Sequence, residues 1–98
     1  MKLFLHSTLH PQLSVQPNPF SNSTNIIFAI PQDERVSIVI YNVLGKEVKR
    51  ILGMYTSDEH KIEWAGDDMQ GNALGKGLYH VKMETGKHSV AVKVVLMK

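Results

Sequence analysis

"GLYHVKMETGKHSVAVKVVL" runs from Gly77 to Leu96, and each half alternates apolar and polar residues. Tyr79, Val81 and Met83 share one face of the first half, against His80, Lys82 and Glu84. Val90, Val92, Val94 and Leu96 share one face of the second. Side chains of a strand point to opposite faces in turn, so this period belongs to strands with one buried face. The Thr85-Gly86 step between the halves predicts a two-residue hairpin loop. That register pairs Val81 with Val90 and Tyr79 with Val92, and sets His80 opposite Ala91 on the solvated side. Both apolar sets then fall on one face, as antiparallel pairing requires.

A lone hairpin is at best marginal in water, so its apolar face needs a second layer. The rest of the chain supplies one. "TNIIFAIP" aligns Ile26, Phe28 and Ile30, "RVSIVIYN" aligns Val36, Ile38 and Ile40, and "HKIEWAG" aligns Ile62 and Trp64. "QLSVQ" (Gln12 to Gln16) and "EVKRIL" (Glu47 to Leu52) alternate less clearly and bring the count to seven strands. No window carries a helical stripe. Seven short strands with turn signals between them predict an all-β, antiparallel sandwich. In "NVLGKE", Gly45 supplies the positive φ of a tight corner. In "VQPNPFSNST", Pro17 and Pro19 lack N–H groups and exclude a central strand. That segment, with Asn18, predicts a stiff corner carrying the chain from its first strand to the opposite sheet, with Phe20 covering one end of the core. Residues 1–11 read as an upstream linker or cloning remnant and residues 12–98 as the domain.

Composition narrows the function. A net charge of +2 gives no basis for a nucleic-acid partner. The absence of cysteine excludes disulfides and thiolate metal sites. No apolar run approaches the roughly 18 residues of a membrane helix. Charge is uneven: five acids lie between Met54 and Asp68, and five lysines between Met69 and Lys98. Two readings stand, solvated strand faces of opposite sign near each other, or a basic C-terminal surface offered to a partner.

Chemical motifs are weak. "GNALGKG" (Gly71 to Gly77) departs from a phosphate loop in its spacing and leads into a strand. Four of the seven glycines lie between Gly66 and Gly77, which suits a long loop with several positive-φ positions. Asp67, Asp68 and Asn72 in "GDDMQGN" suggest calcium, but an EF-hand spacing is missing and loop-shaping Asx bonds are the favoured reading. His60, His80 and His88 lie in or beside strands without a nucleophile motif, so catalysis and a cofactor are not expected. Asn22-Ser23-Thr24 fits a glycosylation sequon that matters only in a eukaryotic secretory pathway.

Taken in order, "QPNPFSNSTNIIFAIP", "VSIVIYNVLGKEVKRI", "HKIEWAGDDMQGNALGKGLYHVKM" and "KVVLMK" resemble the C-terminal sorting domain of the bacterial type IX secretion system. That family's pattern is PNPF, a strand, YDVLGREV, a W-D-G-x-D-x-x-G loop, S-G-x-Y, and a terminal K-x-V-L-x-K. The resemblance runs from Leu13 to Lys98 and rests on Pro17, Asn18, Pro19, Phe20, Gly45, Trp64, Gly66, Asp68 and Gly71 as structural positions. The chain departs from it at Ala65, in place of the W-D-G aspartate, and at Lys76 before Gly77. The related flagellar hook-capping immunoglobulin-like domain shares the middle blocks.

The resemblance implies an immunoglobulin-like domain without enzyme activity. Its partners would be the secretion machinery and outer-membrane sortase or shuttle proteins of Bacteroidetes-type bacteria. Its cargo would lie N-terminal to this chain, cross the periplasm to the cell surface, and be joined to lipopolysaccharide as a sortase removes the domain. Recognition is expected at Gly77, Tyr79, Lys93, Val94, Val95, Leu96, Met97 and Lys98, with Lys93, Val95 and Met97 outward. A partner strand is expected on the free edge of this last strand, where the isolated domain would also form a dimer. The alternatives are a carbohydrate-binding or adhesion module, for which Tyr41 and Tyr55 are the candidate aromatics, and a hook-capping-like assembly domain.

Overall fold

The structure, a computed structural model, describes residues 10–97. Lys98 and residues 1–9 of the expected linker lie outside the described residues. The strands are β1 (Gln12–Gln16), β2 (Thr24–Ala29), β3 (Glu34–Tyr41), β4 (Glu47–Tyr55), β5 (Glu59–Trp64), β6 (Gly77–Glu84) and β7 (Ser89–Leu96). They form two antiparallel sheets, ordered β1-β2-β5 and β4-β3-β6-β7. This is the immunoglobulin-like sandwich expected from the alternation.

The inward faces are as the period of two predicts. Ile26, Phe28 and Ile30 meet Val36, Ile38 and Ile40 between the sheets, with Val81, Met83, Val94 and Leu96 beside them. Each is at most 1% exposed. Burying a side chain of this size stabilises by roughly 1.5–3 kcal/mol, so these residues supply the main drive for stacking the layers.

The β6–β7 register differs from the expected one by two residues. Val81 pairs with Val92 and Tyr79 with Val94, while His80 faces Lys93 and Ala91 faces Lys82. The loop is four residues, Thr85 to His88, closed by the Thr85 N–H on the His88 carbonyl at 2.9 Å. A two-residue hairpin turn needs positive φ within its loop, and neither Thr85 nor Gly86 has it. A slip of two leaves every side chain on its original face, so the apolar pattern permits both registers.

The proline segment also differs. β1 and β2 pair in the same sheet, so the chain does not change layers between Val15 and Thr24. Instead the corner reaches across as a strap. Phe20 forms a parallel bridge with Leu96, its N–H donating to the Val95 carbonyl at 3.0 Å and its carbonyl accepting from the Met97 N–H at 2.8 Å. The Asn18 side-chain amide donates to the Lys93 carbonyl at 2.8 Å, and its oxygen accepts from the Val95 N–H at 3.1 Å. The outer edge of β7 is therefore taken from Lys93 to Met97, contrary to the free edge expected there. The Thr24 hydroxyl, in a residue 1% exposed, ties the strap's end to the Pro17 carbonyl.

β4 runs to Tyr55, beyond the expected Leu52, and carries a bulge opposite Ile40 and Tyr41. Val48 packs inward at the bulge, and Ile51 and Tyr55 pack inward beyond it, so inward parity changes along the strand. The strand-borne acids of the acidic run and lysines of the lysine run fall on different sheets. Glu59 and Glu63 line the outside of one sheet, and Lys82 and Lys93 the outside of the other.

Asn18→Ala is expected to lower unfolding free energy by roughly 1–2 kcal/mol, the worth of two ordinary hydrogen bonds. Urea unfolding should show a lower midpoint at constant slope. Amide exchange should quicken at Val95 while the 3.0 Å Phe20 bond remains protected.

Candidate functional site

One end of the sandwich gathers the loops 17–23, 42–46 and 65–76 with the end of β7. At its centre Trp64, fully buried, lies between Phe20 at 5.4 Å and Tyr79 at 5.8 Å between ring centroids. The Trp64 indole N–H donates to the Asp67 carbonyl at 2.9 Å, and the Tyr79 hydroxyl donates to the Gly75 carbonyl at 2.6 Å. Burial pushes the Tyr79 hydroxyl pKa up. These two rings thus hold both halves of the long loop through their polar atoms. Gly66, at φ 70°, sits against Leu96, whose methyl carbons lie 3.2 and 3.3 Å from where a Cβ would be. Both the backbone conformation and the space favour glycine.

The two tight turns at this end are built alike. The Asn42 side-chain oxygen accepts from the Leu44 and Lys46 N–H groups, and Gly45 follows at φ 82°. The Asp68 carboxylate accepts from the Gln70 and Asn72 N–H groups, and Gly71 has φ 83°. The Asp67 carboxylate is ion-paired with the Lys49 ammonium at 2.8 Å. Asp68 makes the Asx-type bonds the sequence suggests, whereas the Asp67 side chain reaches out of the loop to β4 instead. The three strand-associated histidines are dispersed: His60 packs on Tyr55 and Phe28, His80 lies outside the other sheet, and His88 meets His10 near the β6–β7 loop.

The expected recognition residues divide by direction. Gly77 pairs with Leu96 and Tyr79 with Val94, so β6 and β7 bring these segments together. Tyr79, Val94 and Leu96 face the core, and a docking protein would not touch them in the folded domain. Lys93, Val95 and Met97 face solvent, with Val95 37% and Met97 57% exposed.

Further exposed apolar residues at this end were not among those expected from the sequence. Val43 is 65% and Leu44 87% exposed, in a turn whose geometry is held by Asn42 and Gly45. Met69 on the neighbouring loop is 57% exposed. Two apolar side chains at a turn tip are a legible signal, since the turn itself makes no use of them.

The hydrogen bond from the Asn72 N–H, seconded by that from Gln70, holds the Asp68 carboxyl below the ordinary aspartate range. Its folded pKa is depressed, so its contribution is complete above the unfolded value and is lost as pH falls through the folded one. Carboxyl-resolved NMR should show Asp68 titrating below the ordinary aspartate range, and Asp68→Asn should reduce the acid dependence of loop order. Titration at the ordinary value would contradict the turn geometry.

The chain matches, over residues 14–97, the family model described as the secretion system C-terminal sorting domain. No curated protein matches it. Among solved structures it is similar to dimeric latent PorU from Porphyromonas gingivalis, with a TM-score of 0.70 and 19% identity, covering 88% of this chain and 9% of that one. It is similar to PorZ from the same organism, described as an essential bacterial surface component of the type-IX secretion system, with a TM-score of 0.62 and 20% identity, covering 88% of this chain and 11% of that one. FlgD from P. aeruginosa gives 0.63 and 18% identity, covering 89% of this chain and 73% of that one. At these identities the likeness establishes the fold, and the chain spans only about a tenth of PorU and PorZ. The family match over residues 14–97 carries the assignment: this chain belongs to the secretion system C-terminal sorting domains.

Proposed function

We propose that residues 12–98 are a non-enzymatic export address for the type IX secretion system, read at the end of the sandwich that holds the strap and the last strand. The carrying observation is the distribution of exposed apolar side chains. Val43, Leu44, Met69, Val95 and Met97 all project there, while the core behind them is closed by Phe20, Trp64 and Leu96. Rigid loops presenting apolar residues on a sealed core suit recognition by another protein.

In this reading a cargo N-terminal to the domain crosses the periplasm and emerges at the outer-membrane surface. Shuttle and sortase proteins act there, with removal of the domain and joining of cargo to lipopolysaccharide as the later steps. The family match supports the sorting role, and these steps extend it. The machinery contacts the outward set Lys93, Val95 and Met97, since Asn18 and Phe20 already hold the adjacent strand edge. A carbohydrate-binding role is not favoured, because Tyr55 is engaged edge-on with Phe28 and His60 and Tyr41 is half-buried. The likeness to FlgD reaches the fold alone.

A periplasmic reporter fused ahead of the chain, in a host with the machinery, is expected to reach the cell surface. Truncating the last strand would remove Val94 and Leu96 from the core, so substitution is the cleaner probe. Replacing Lys93, Val95 and Met97 together by serine should cut surface reporter by about tenfold or more, as loss of an interface hot spot does, with the melting temperature held. Unchanged export by a folded triple variant would refute the assigned surface.

A further inference from the structure

A sheet edge offers unpaired N–H and C=O groups to any strand that fits, and proteins commonly blunt it. The sandwich has four edge strands, β1, β5, β4 and β7. β7 is taken from Lys93 to Met97 by Asn18 and Phe20. β1 is bounded by Pro11 and Pro17 and packs alongside β7. β5 carries Glu59, Lys61 and Glu63 in alternation on its outer face, a charged edge. β4 is different.

Its first half is covered, since the Arg50 N–H is directed at the Met69 sulfur at 3.2 Å and Lys49 is tied to Asp67. The Arg50 amide thus points away from β3. By the alternation of an antiparallel ladder the amides of Leu52 and Met54 point the same way. Among the described residues, the large exposed apolar side chains outside the loop-bearing end are Leu52, at 56%, and Met54, at 68%. Among the described residues no hydrogen bond reaches the outward amides of Leu52 and Met54, so the strand's open half combines free backbone donors with apolar side chains.

We propose that this half of β4 is a self-association edge, pairing antiparallel with β4 of a second copy about a two-fold axis at Gly53. That register sets Leu52 against the partner's Met54 in both directions, joining outward-directed backbone groups to each other. Ile51 then faces the partner's Tyr55, and Arg50 faces the partner's Thr56. No like charges meet, and Met69 keeps its place on Arg50. The two four-stranded sheets become one continuous sheet of eight. A single copy satisfies both sides of this pairing, which makes a second copy its occupant. The edge lies away from Val95 and Met97, so self-association and the proposed export role are separable.

Sedimentation of the 98-residue chain should show monomer passing reversibly to dimer between roughly 10 µM and 1 mM, the range of a weak pairing. Met54→Lys should weaken the dimer about tenfold or more with melting temperature unchanged, because an edge lysine blocks strand pairing. The chain has no cysteine, so introduced thiols report the register directly. Mixed Leu52→Cys and Met54→Cys proteins should cross-link to each other in preference to themselves. Monomer throughout, a dimer indifferent to Met54→Lys, or cross-linking at Val95→Cys instead would each overturn the proposal.

Discussion

The outer edge of the last strand is already paired. Asn18 supplies an amide that hydrogen-bonds like a peptide group, and Phe20 adds its own backbone N–H and C=O, so β7 from Lys93 to Leu96 has β6 on one side and the strap on the other. Buried or half-buried backbone groups must find partners, and here a short strap provides them without a full strand. The strap also brings the Phe20 ring over Trp64, which closes the sandwich at the end where the two sheets would otherwise splay.

From that closure the rest of this end follows. Leu96 is pinned beneath Phe20 and against Gly66, so the backbone of the long loop approaches the core closely. Trp64 and Tyr79 then fix the loop's carbonyls at Asp67 and Gly75. The turns organised by Asn42 and Asp68 project their neighbouring side chains from a rigid base. Such a surface loses little conformational entropy when a partner docks, which suits a sorting domain to the recognition proposed for it.

The strap changes how the last strand is to be read. An open edge would recruit a partner through backbone pairing and would be indiscriminate. A capped edge leaves side chains as the discriminating feature, and on β7 these are Lys93, Val95 and Met97. An open stretch with exposed apolar side chains, Leu52 and Met54, lies at β4, on the other flank of the same sheet. The proposed docking face and the proposed self-pairing edge thus lie on different surfaces.

Much of this architecture was legible in the chain itself. A period of two identifies which side chains enter the core, because burial acts on each strand separately, and Val36, Ile38 and Ile40 needed no neighbour to be read. Gly45 and Gly71 were readable for the same local reason, since turn conformation is a property of a few residues. What escaped is non-local. A two-residue slip between β6 and β7 preserves every face, so Val81 pairs with Val92 through a loop the alternation could not choose. The bulge in β4 reverses parity at Val48 and disguises a strand that runs to Tyr55. Whether the Pro17–Pro19 corner changed sheets, and what Asn18 bonded, depended on residues more than seventy positions away. Hydrogen-bond partners at that separation are selected by the packing of the whole sandwich, and only the tertiary structure decides them.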